Sequence, residues 1–300
     1  MSNTSKGKGK KGSKFWMQMV INTKYRLQLN ESIGDNIRWL SPLINQDDYA
    51  EYELKHQYIS DITGITKENF SFWPDRQPQW DAIGINAEKK VLYLVEAKAH
   101  LNELNCKMNA SSKVSQQKIE SAMRDVFDNY YPEGNFDRWK DSYYQMGNRL
   151  TFLHFLNNIT AETGWKVELV LLNFVDDFTY KPTTLLDWKN HYRDVFKEMT
   201  GHESEPVDLK MIYYSVKNKG VVKSPINGEW IYDVSKVLSY GYSNAENERI
   251  RAACPSGCIL YECGQFSDLL AMNGIYHFVN VTALTDEELN TLVNFQFEVF

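Results

Sequence analysis

The amino-acid sequence predicts an α/β protein, in which helices pack on a central sheet. Residues 91–95 form an unbroken apolar run, which is typical of a strand that is covered on both faces. Residues 165–175 show a similar run, and the stretches between the two have apolar residues spaced three and four positions apart. The order of helix, three strands, helices and strand predicts a core in which a helical crossover joins strands of one sheet.

The N-terminal half supplies the first helices and three strands of this order. The four residues between the second and third strands are a suitable length for a β-hairpin. The predicted helices are residues 14–29 and 47–58, and the predicted strands are residues 70–73, 79–86 and 91–98.

The C-terminal half supplies the crossover, further strands and a mixed extension. Residues 136–157 keep an alternating three- and four-residue apolar spacing, which predicts one long helix. The other predicted elements are helices at 114–130, 185–199 and 286–294, strands at 165–175, 208–216 and 276–281, and a hairpin at 220–233 that turns at Asn227-Gly228. We expect a disordered basic tail over residues 1–14, a core over 15–217, and a C-terminal extension over 218–300 that packs on the core.

Composition and charge narrow the class of protein. The 300 residues are 43% hydrophobic and 24% charged, which excludes wholesale disorder. No apolar run approaches the ~18 residues of a membrane span, and we expect no signal peptide, because the first residues are polar and rich in glycine and lysine. Because it has only four cysteines, the sequence predicts a reducing, cytoplasmic setting. Because it has no long apolar run, it also predicts no membrane association.

The charge is unevenly distributed. Five lysines and no acid stand in the first fourteen residues, so subtracting their charge from the net −6 leaves −11 for the body. An acidic body argues against non-specific coating of a polyanion, but it permits one local groove that holds nucleic acid. We expect the lysine-rich tail to be a solvated segment, and a nucleic-acid arm is the alternative.

The strand at residues 91–98 ends in two charged residues. Glu96 and Lys98 lie on one face of the strand, because side chains alternate. If Asn86 pairs with Val91 in the hairpin, Asp81 lies directly across from Glu96, with Cβ atoms ~4.5–5.5 Å apart. Two carboxylates at that distance repel each other unless a proton or a cation lies between them.

A hard divalent ion such as Mg²⁺ or Mn²⁺ fits this pair of acids. Lys98 would lie beside the ion and orient or deprotonate a water, or stabilise developing negative charge. The alternative is a modest salt bridge at the solvent end of a strand. An acid two residues before a lysine occurs five times in the chain, but only Glu96 follows an apolar strand with a hairpin-related Asp.

Residues 77–82 and 94–100 carry a resemblance to a known family. Their sequences, Gln-Pro-Gln-Trp-Asp-Ala and Leu-Val-Glu-Ala-Lys-Ala-His, are similar to those of uncharacterised bacterial members of the PD-(D/E)xK nuclease superfamily. The resemblance implies a restriction-endonuclease-like αβββαβ core over about residues 30–200. It also implies metal ligation by Asp81, Glu96 and the backbone carbonyl of Ala97, and assistance of the attacking water by Lys98.

The chain departs from the family pattern in one respect. Trp80 stands where the family name expects a proline before the aspartate. A literal Pro74-Asp75 pair occurs six residues earlier, but Pro78 would interrupt a strand between Asp75 and the hairpin. Asp81 is therefore the predicted ligand.

The resemblance also suggests supporting residues outside the hairpin. An acid on the first core helix would complete the metal shell, and Glu51 is the candidate, with Glu53 as the alternate. Gln145 and Arg149 are four apart on one face of a helix, where they would hold the lysine and bind a phosphate. His100, two residues past Lys98, is a candidate phosphate contact. Each has a simpler alternative, namely an exposed helical acid, a surface hydrogen bond or a loop histidine.

Three cysteines near the C-terminus raise the question of zinc. Three residues separate Cys254 from Cys258 and four separate Cys258 from Cys263, but a structural zinc site needs four ligands, and the fourth would have to come from Cys106, His277 or elsewhere. Ordinary reduced cysteines are therefore the expected state.

Taken together, the sequence predicts a Mg²⁺-dependent phosphodiesterase, and the family resemblance favours a nuclease that cuts DNA rather than RNA. The alternative is a catalytically inactive nuclease-fold protein that binds nucleic acid or a protein partner. A third possibility is an α/β interaction module in which the buried acid and lysine are structural.

Overall fold

The computed structural model describes residues 6–216, apart from positions 8, 10, 23–24, 44–46 and 178. Beyond residue 216 it describes only the backbone of short strand segments between residues 221 and 279. The fold below is that of the described residues.

A five-stranded mixed sheet forms the centre of the structure, with the strands in the order β1-β2-β3-β4-β5. β1, β2 and β3 pair antiparallel, whereas β4 and β5 continue the sheet in parallel with β3. The strands are β1 Arg38–Ser41, β2 Ala82–Asn86, β3 Val91–Lys98, β4 Lys166–Val175 and β5 Leu209–Ser215.

Seven α-helices in the described part of the chain accompany this sheet. They are α1 Gly12–Ile21, α2 Tyr25–Ile33, α3 Gln57–Thr63, α4 Lys113–Tyr130, α5 Phe136–Asp141, α6 Tyr144–Thr160 and α7 Leu185–Thr200. The crossovers from β3 to β4 and from β4 to β5 contain α4–α6 and α7, because parallel strands need long connections. The chain is therefore a mixed α/β protein, as the sequence predicts.

Alternation along β3 distributes its side chains between two hydrophobic cores. Leu92 and Leu94 pack in the core that contains residues of α4–α7, whereas Tyr93 and Val95 pack with α1 and α2 on the other face. Both faces are covered, which explains why this strand has no polar side in its first five residues. The next residue on the α4–α7 face is Glu96, so this face of β3 carries both core and charged side chains.

Gly147 allows α6 to approach α4 and α5 closely. A Cβ atom at this position would lie 2.6 Å from the Cε of Met123 and 3.1 Å from the carbonyl oxygen of Trp139. Such distances are below normal contact, so a larger residue would push the helices apart. The absence of a side chain thus helps to set how far α6 stands from its neighbours.

Several predicted elements match the structure closely. The third strand occupies Val91–Lys98 as expected, and Asn86 pairs with Val91 in the predicted hairpin register. The predicted helices at 114–130 and 185–199 and the strand at 165–175 each differ from the observed elements by one residue at one end, and the observed strand Leu209–Ser215 is one residue shorter at each end than predicted.

Two predicted elements are wrong. Residues 47–58 do not form one helix, because Asp47, Asp48 and Tyr49 have φ angles of 51°, 54° and 56°, outside the right-handed helical region. α3 begins only at Gln57. Residues 70–73 are not a strand either. A short 3₁₀ helix ends at Phe70, and the ring of Phe72 stacks on Phe155 of α6 with centroids 4.1 Å apart.

Two predicted long helices are each divided. Residues 14–29 belong to α1 and α2, which end and begin on either side of residues 22–24. The predicted helix at 136–157 breaks after Asp141, where Ser142 adopts φ −130°. The Cys106 backbone amide donates to the Ser142 carbonyl oxygen at 2.8 Å. This carbonyl would accept a hydrogen bond within the helix if the helix continued, but here it is paired with a neighbouring segment instead.

The described residues can be compared with only part of the predicted division into tail, core and C-terminal extension. α1 begins at Gly12, so residues 12–14 are helical rather than part of a disordered tail. In the extension, β6 Val221–Lys223 and β7 Trp230–Asp233 pair antiparallel as the predicted hairpin requires, and β7 also pairs with β10 Phe278–Val279. β8 Tyr261–Glu262 pairs with β9 Ile275–Tyr276.

Other predictions for the extension lie outside the described residues. These are the turn at Asn227-Gly228, the helix at 286–294 and the three cysteines Cys254, Cys258 and Cys263. Of the helices that are described, none combines the length and apolar character needed to cross a bilayer.

Candidate active site

Asp81 and Glu96 are brought together by the β2–β3 hairpin. Ala82 pairs with Val95, so Asp81, the residue before β2, lies across from Glu96, the next residue of β3. The Asp81 Oδ2 accepts a hydrogen bond from the Ala97 backbone amide at 2.7 Å, which holds the carboxylate against the end of β3. The structure thus confirms the predicted juxtaposition of the two acids.

Glu96 is buried between two cations. Lys98 donates from Nζ to Glu96 Oε1 and also to Gln145 Oε1, the latter at 2.9 Å. Arg149 approaches the other carboxylate oxygen, Oε2, with Nε at 2.7 Å and Nη2 at 2.6 Å. Gln145 and Arg149 therefore reach the β3 charges from one face of α6, as their four-residue spacing predicts.

The two carboxylates differ in their electrostatic surroundings. Burial alone would raise the pKa of Glu96, but the charges of Arg149 and Lys98 outweigh burial and lower it. Burial, and then the charge of Glu96, raise the pKa of Asp81 to about 8, although Lys98 opposes this shift. Glu96 is therefore held ionised, whereas Asp81 has too little positive charge nearby to stay ionised at neutral pH.

Lys98 is the cation shared by these acids. Burial would lower the pKa of its ammonium group, but the charges of Glu96 and Asp81 raise it above the ordinary value. The amine is consequently protonated at neutral pH. It acts as a hydrogen-bond donor and positive charge in this setting, rather than as a base.

Glu51 comes close to Asp81, but from an extended segment and not from a helix. The Trp80 amide donates to the Tyr52 carbonyl oxygen at 3.2 Å, which holds this segment beside the start of β2. The charge of Glu51 contributes to the raised pKa of Asp81. Glu53, the alternate candidate, is buried and lies 3.2 Å from Lys55. The predicted acid is thus in place, although the helix that was expected to carry it is not.

Arg149 has a different partner from the one predicted. Besides its contacts with Glu96, it donates from Nη2 to the Gln79 carbonyl oxygen at 2.9 Å, and its guanidinium carbon lies 4.5 Å from the centre of the Trp80 ring. The side chain is buried, so its described contacts are with the protein rather than with an exposed phosphate site. The tryptophan that stands in place of the expected proline provides the face on which Arg149 packs.

His100 and Asp75 lie apart from the acid pair. β3 ends at Lys98, and the His100 ring packs on Tyr180 with centroids 5.0 Å apart. Its Nε2 lies 3.4 Å from Glu103 Oε1. Asp75 is exposed and lies 3.8 Å from Lys67, in agreement with the choice of Asp81 over Asp75.

An open groove of about 730 Å³ lies beside the acids. Glu51, Asp81 and Gln145 line it, and so do Arg76 and Lys107 from the loops on either side. Both cations are exposed, and neither has an acidic partner within ion-pair distance among the residues that the structure describes. Sequence reasoning missed these two residues because isolated loop cations carry no periodic signal. Their position in the segments just before and just after the hairpin is the signal that could have placed them near the acids.

The donor set suits a hard divalent cation bound mainly by solvent and substrate. Within the described part of the chain, no group of three or more acidic, histidine or cysteine side chains has metal-holding geometry. Mg²⁺, however, often uses only one or two carboxylates and completes its shell with water and phosphate oxygens. The raised pKa of Asp81 indicates a place where added positive charge is favourable. Asp81 and Glu96 are therefore the two carboxylates that such an ion would use.

Comparison with protein-family models, with curated proteins and with solved structures finds no match for this chain.

Proposed function

We propose that this chain is a divalent-metal-dependent phosphodiesterase that cleaves DNA, with a PD-(D/E)xK-type site on a restriction-endonuclease-like core. One observation carries the proposal. Asp81 and Glu96 face each other across paired strands, with the Lys98 ammonium bound to Glu96, beside a groove that Asp81 lines.

The arrangement of the sheet supports this assignment of the fold. Helices α1 and α2 precede the antiparallel strands β1, β2 and β3, with α3 inserted between β1 and β2, and helices α4–α6 then lead to β4, which pairs in parallel with β3. Apart from the inserted α3, this order agrees with the αβββαβ core that the sequence resemblance implies, which supports the proposal. The acids stand at the end of the hairpin formed by the second and third strands.

Asp81, Glu96 and the Ala97 carbonyl are the groups that would hold Mg²⁺ or Mn²⁺. When bound, such an ion supplies Lewis-acid polarisation of a phosphate and lowers the pKa of a bound water. Asp81 offers a carboxylate whose ionised form is disfavoured without a cation. Glu96 offers one that Arg149 and Lys98 keep ionised and fixed in position.

Lys98 supplies the positive charge beside the reacting phosphate. Its Nζ is fixed by Glu96 and by Gln145, and Gln145 lines the groove, so the ammonium would act on a phosphate oxygen or on the attacking water from beside Gln145. Because its pKa is raised, the protonated amine stabilises negative charge as it develops. Gln145 acts through Lys98 and is a positioning residue.

The groove provides a suitable path for a phosphodiester. Arg76 and Lys107 present cations toward solvent on its walls, where phosphate contacts would position a strand without reading its sequence. Glu96 is paired with Lys98 and Arg149, so we expect a strand to bind in the groove without a divalent ion and cleavage to require one.

Loss of cleavage in two variants tests the proposal. We expect Glu96→Gln and Lys98→Ala each to reduce Mg²⁺-dependent cleavage of labelled DNA by on the order of 100-fold or more, by removing electrostatic stabilisation. Glu168→Gln is the matched control, since Glu168 is also a buried acid of the sheet and its Oε2 lies 2.8 Å from Lys210. Circular dichroism and thermal unfolding check that each variant is folded. Equal cleavage by the wild type and both site variants would refute the proposal.

The pairing of Glu96 favours a second candidate, a nuclease-fold protein that binds nucleic acid or a protein partner without cutting. Both carboxylate oxygens of Glu96 already have cationic partners, as in a structural ion pair. Calorimetry separates the two candidates. If the chain is an enzyme, the wild type binds Mg²⁺ or Mn²⁺, and Asp81→Asn weakens the affinity at least tenfold. If the cluster is purely structural, titration with these ions gives no binding heat with the wild type or with Asp81→Asn.

A further inference from the structure

Tyr180 forms an exposed aromatic surface between β4 and α7. Its relative exposure is 43%, which is high for a large aromatic residue. One side of the ring contacts His100 at a centroid distance of 5.0 Å. The Nζ atoms of Lys11 and Lys181 lie over the ring, 4.3 Å and 5.6 Å from its centre. Lysine side chains are flexible, so a stacked base would take the place of these ammonium groups on the ring and leave them beside its phosphates.

Two consecutive residues of α1 connect this surface to the acid site. The Ser13 hydroxyl donates to Glu103 Oε2 at 2.9 Å, and Glu103 Oε1 lies 3.4 Å from His100 Nε2. The next residue, Lys14, lies 4.0 Å from Glu51 Oε1, on the wall of the groove that holds Asp81. His100, which contacts the Tyr180 ring, follows Lys98 by only two residues, so the tyrosine surface lies at the same end of β3 as the acid pair.

The chemistry of the surface matches one class of ligand. An exposed aromatic ring stacks an unpaired base, whatever its identity, and nearby lysines contact the phosphates on either side. A base within a duplex keeps its faces against its neighbours and is not available to such a ring. Glu103 is an acid close to the His100 ring. Its carboxylate accepts hydrogen bonds from the Ser13 hydroxyl and from the backbone amides of Ala99 and His100, which stabilise its negative charge beside the surface.

We propose that Tyr180, flanked by Lys11 and Lys181, stacks an unpaired base of a single-stranded nucleic acid whose backbone continues into the groove beside Asp81. This inference rests on the proposed function and specifies its substrate as a strand with at least one unpaired base next to the scissile phosphate. His100, expected from the sequence to contact a phosphate, supports the tyrosine ring in this arrangement.

Binding without a divalent ion tests the surface separately from cleavage. Fluorescence anisotropy with fluorescein-labelled oligo(dT) in EDTA measures affinity for a single strand, and a blunt duplex serves as the comparison probe. We expect Tyr180→Ala to weaken binding of oligo(dT) by roughly 5- to 150-fold, the effect of losing one stacked base. Tyr180→Phe keeps the ring and should bind within about twofold of the wild type.

Tyr130→Ala is the matched control. Tyr130 is 48% exposed, and its ring stacks on His154 at 3.9 Å, on α4 rather than beside His100. We expect it to leave oligo(dT) binding unchanged. Replacing Lys11 and Lys181 together should reduce the slope of log affinity against log salt by about 0.7 for each phosphate that a lysine no longer neutralises.

Three outcomes overturn the inference. In the first, Tyr180→Ala binds oligo(dT) as tightly as the wild type. In the second, Tyr180→Phe loses as much affinity as Tyr180→Ala. In the third, polyglutamate displaces labelled oligo(dT) as effectively as the unlabelled strand does. Failure of the proposed function appears differently, as an absence of Mg²⁺-dependent cleavage by a wild type that binds oligo(dT) in a Tyr180-dependent way.

Discussion

Replacing Asp81 by asparagine should stabilise the protein when no divalent ion is present. Asparagine has nearly the same shape, and its carbonyl oxygen still accepts the Ala97 amide that Asp81 Oδ2 accepts at 2.7 Å. The substitution removes a carboxyl group whose ionisation is disfavoured by burial and by the charge of Glu96. The expected gain follows from the difference in proton binding between the folded and unfolded states.

The magnitude follows from the pKa of Asp81, which rises from 3.8 to about 8 on folding. Above about pH 4 the unfolded chain releases this proton, whereas the folded protein keeps it up to about pH 8, so wild-type stability falls as the pH rises through this interval. Each pKa unit corresponds to about 1.4 kcal/mol. Between pH 5 and pH 7 the wild type should lose about 2–3 kcal/mol relative to Asp81→Asn.

Urea unfolding in EDTA at pH 5 and pH 7 measures this difference directly. A second titration, with MgCl₂ at pH 7, should raise the stability of the wild type and leave Asp81→Asn unchanged, because a ligand that binds only the folded state stabilises it by mass action. An Asp81→Asn protein that is less stable than the wild type at pH 7 would refute this reasoning, and so would identical pH slopes for the two proteins.

Two further predictions concern stability away from the acids. Burial lowers the pKa of His154 from 6.5 to about 4, so between pH 7.5 and pH 5.5 this histidine takes up a proton in the unfolded chain but not in the folded protein. Acidification over this interval should therefore lower the free energy of unfolding of the wild type by about 1–1.5 kcal/mol more than that of His154→Gln. Urea unfolding of both proteins at the two pH values measures this difference. A wild type and variant with parallel pH profiles would contradict it. Gly134→Ala would place a Cβ atom 2.1 Å from the Met199 carbonyl oxygen, so the backbone must move, and we expect a loss of about 1–3 kcal/mol in the same assay. A fully stable Gly134→Ala protein would show that this contact yields easily.

The hairpin and its two acids were predictable because local signals determine them. The apolar run from Val91 onward strongly favours a strand, and the short connection to Asn86 sets the register. Once the register is known, alternation alone places Asp81 and Glu96 on one face. The geometry of the site's centre therefore follows from two short segments.

The surroundings of the acids were less accessible to sequence reasoning. Glu51 was expected on a helix, but the left-handed backbone of Asp47, Asp48 and Tyr49 has no signature strong enough to override an apparent helical pattern. The break of the long helix at Ser142 depends on a hydrogen bond from Cys106, which lies far away in the sequence. Such tertiary contacts are invisible to periodicity.

Arg149 shows the same limit for side chains. Its spacing from Gln145 correctly predicts a shared helix face, but its partners Glu96 and Trp80 come from another part of the chain. From the sequence, Trp80 is only a departure from a family pattern. In the structure it is a packing surface for the guanidinium group, which gives the departure a physical role.

The guanidinium of Arg149 joins the end of β3, the segment before β2 and helix α6 at one point. During synthesis the hairpin leaves the ribosome well before α6, because the chain emerges from its N-terminus. Glu96 meanwhile lacks the Arg149 charge that helps to keep it ionised in the folded protein. A nascent chain that ends before α6 therefore carries both acids but not Arg149, so the buried ion-pair network around Glu96 is completed only after helices α1–α6 have been made.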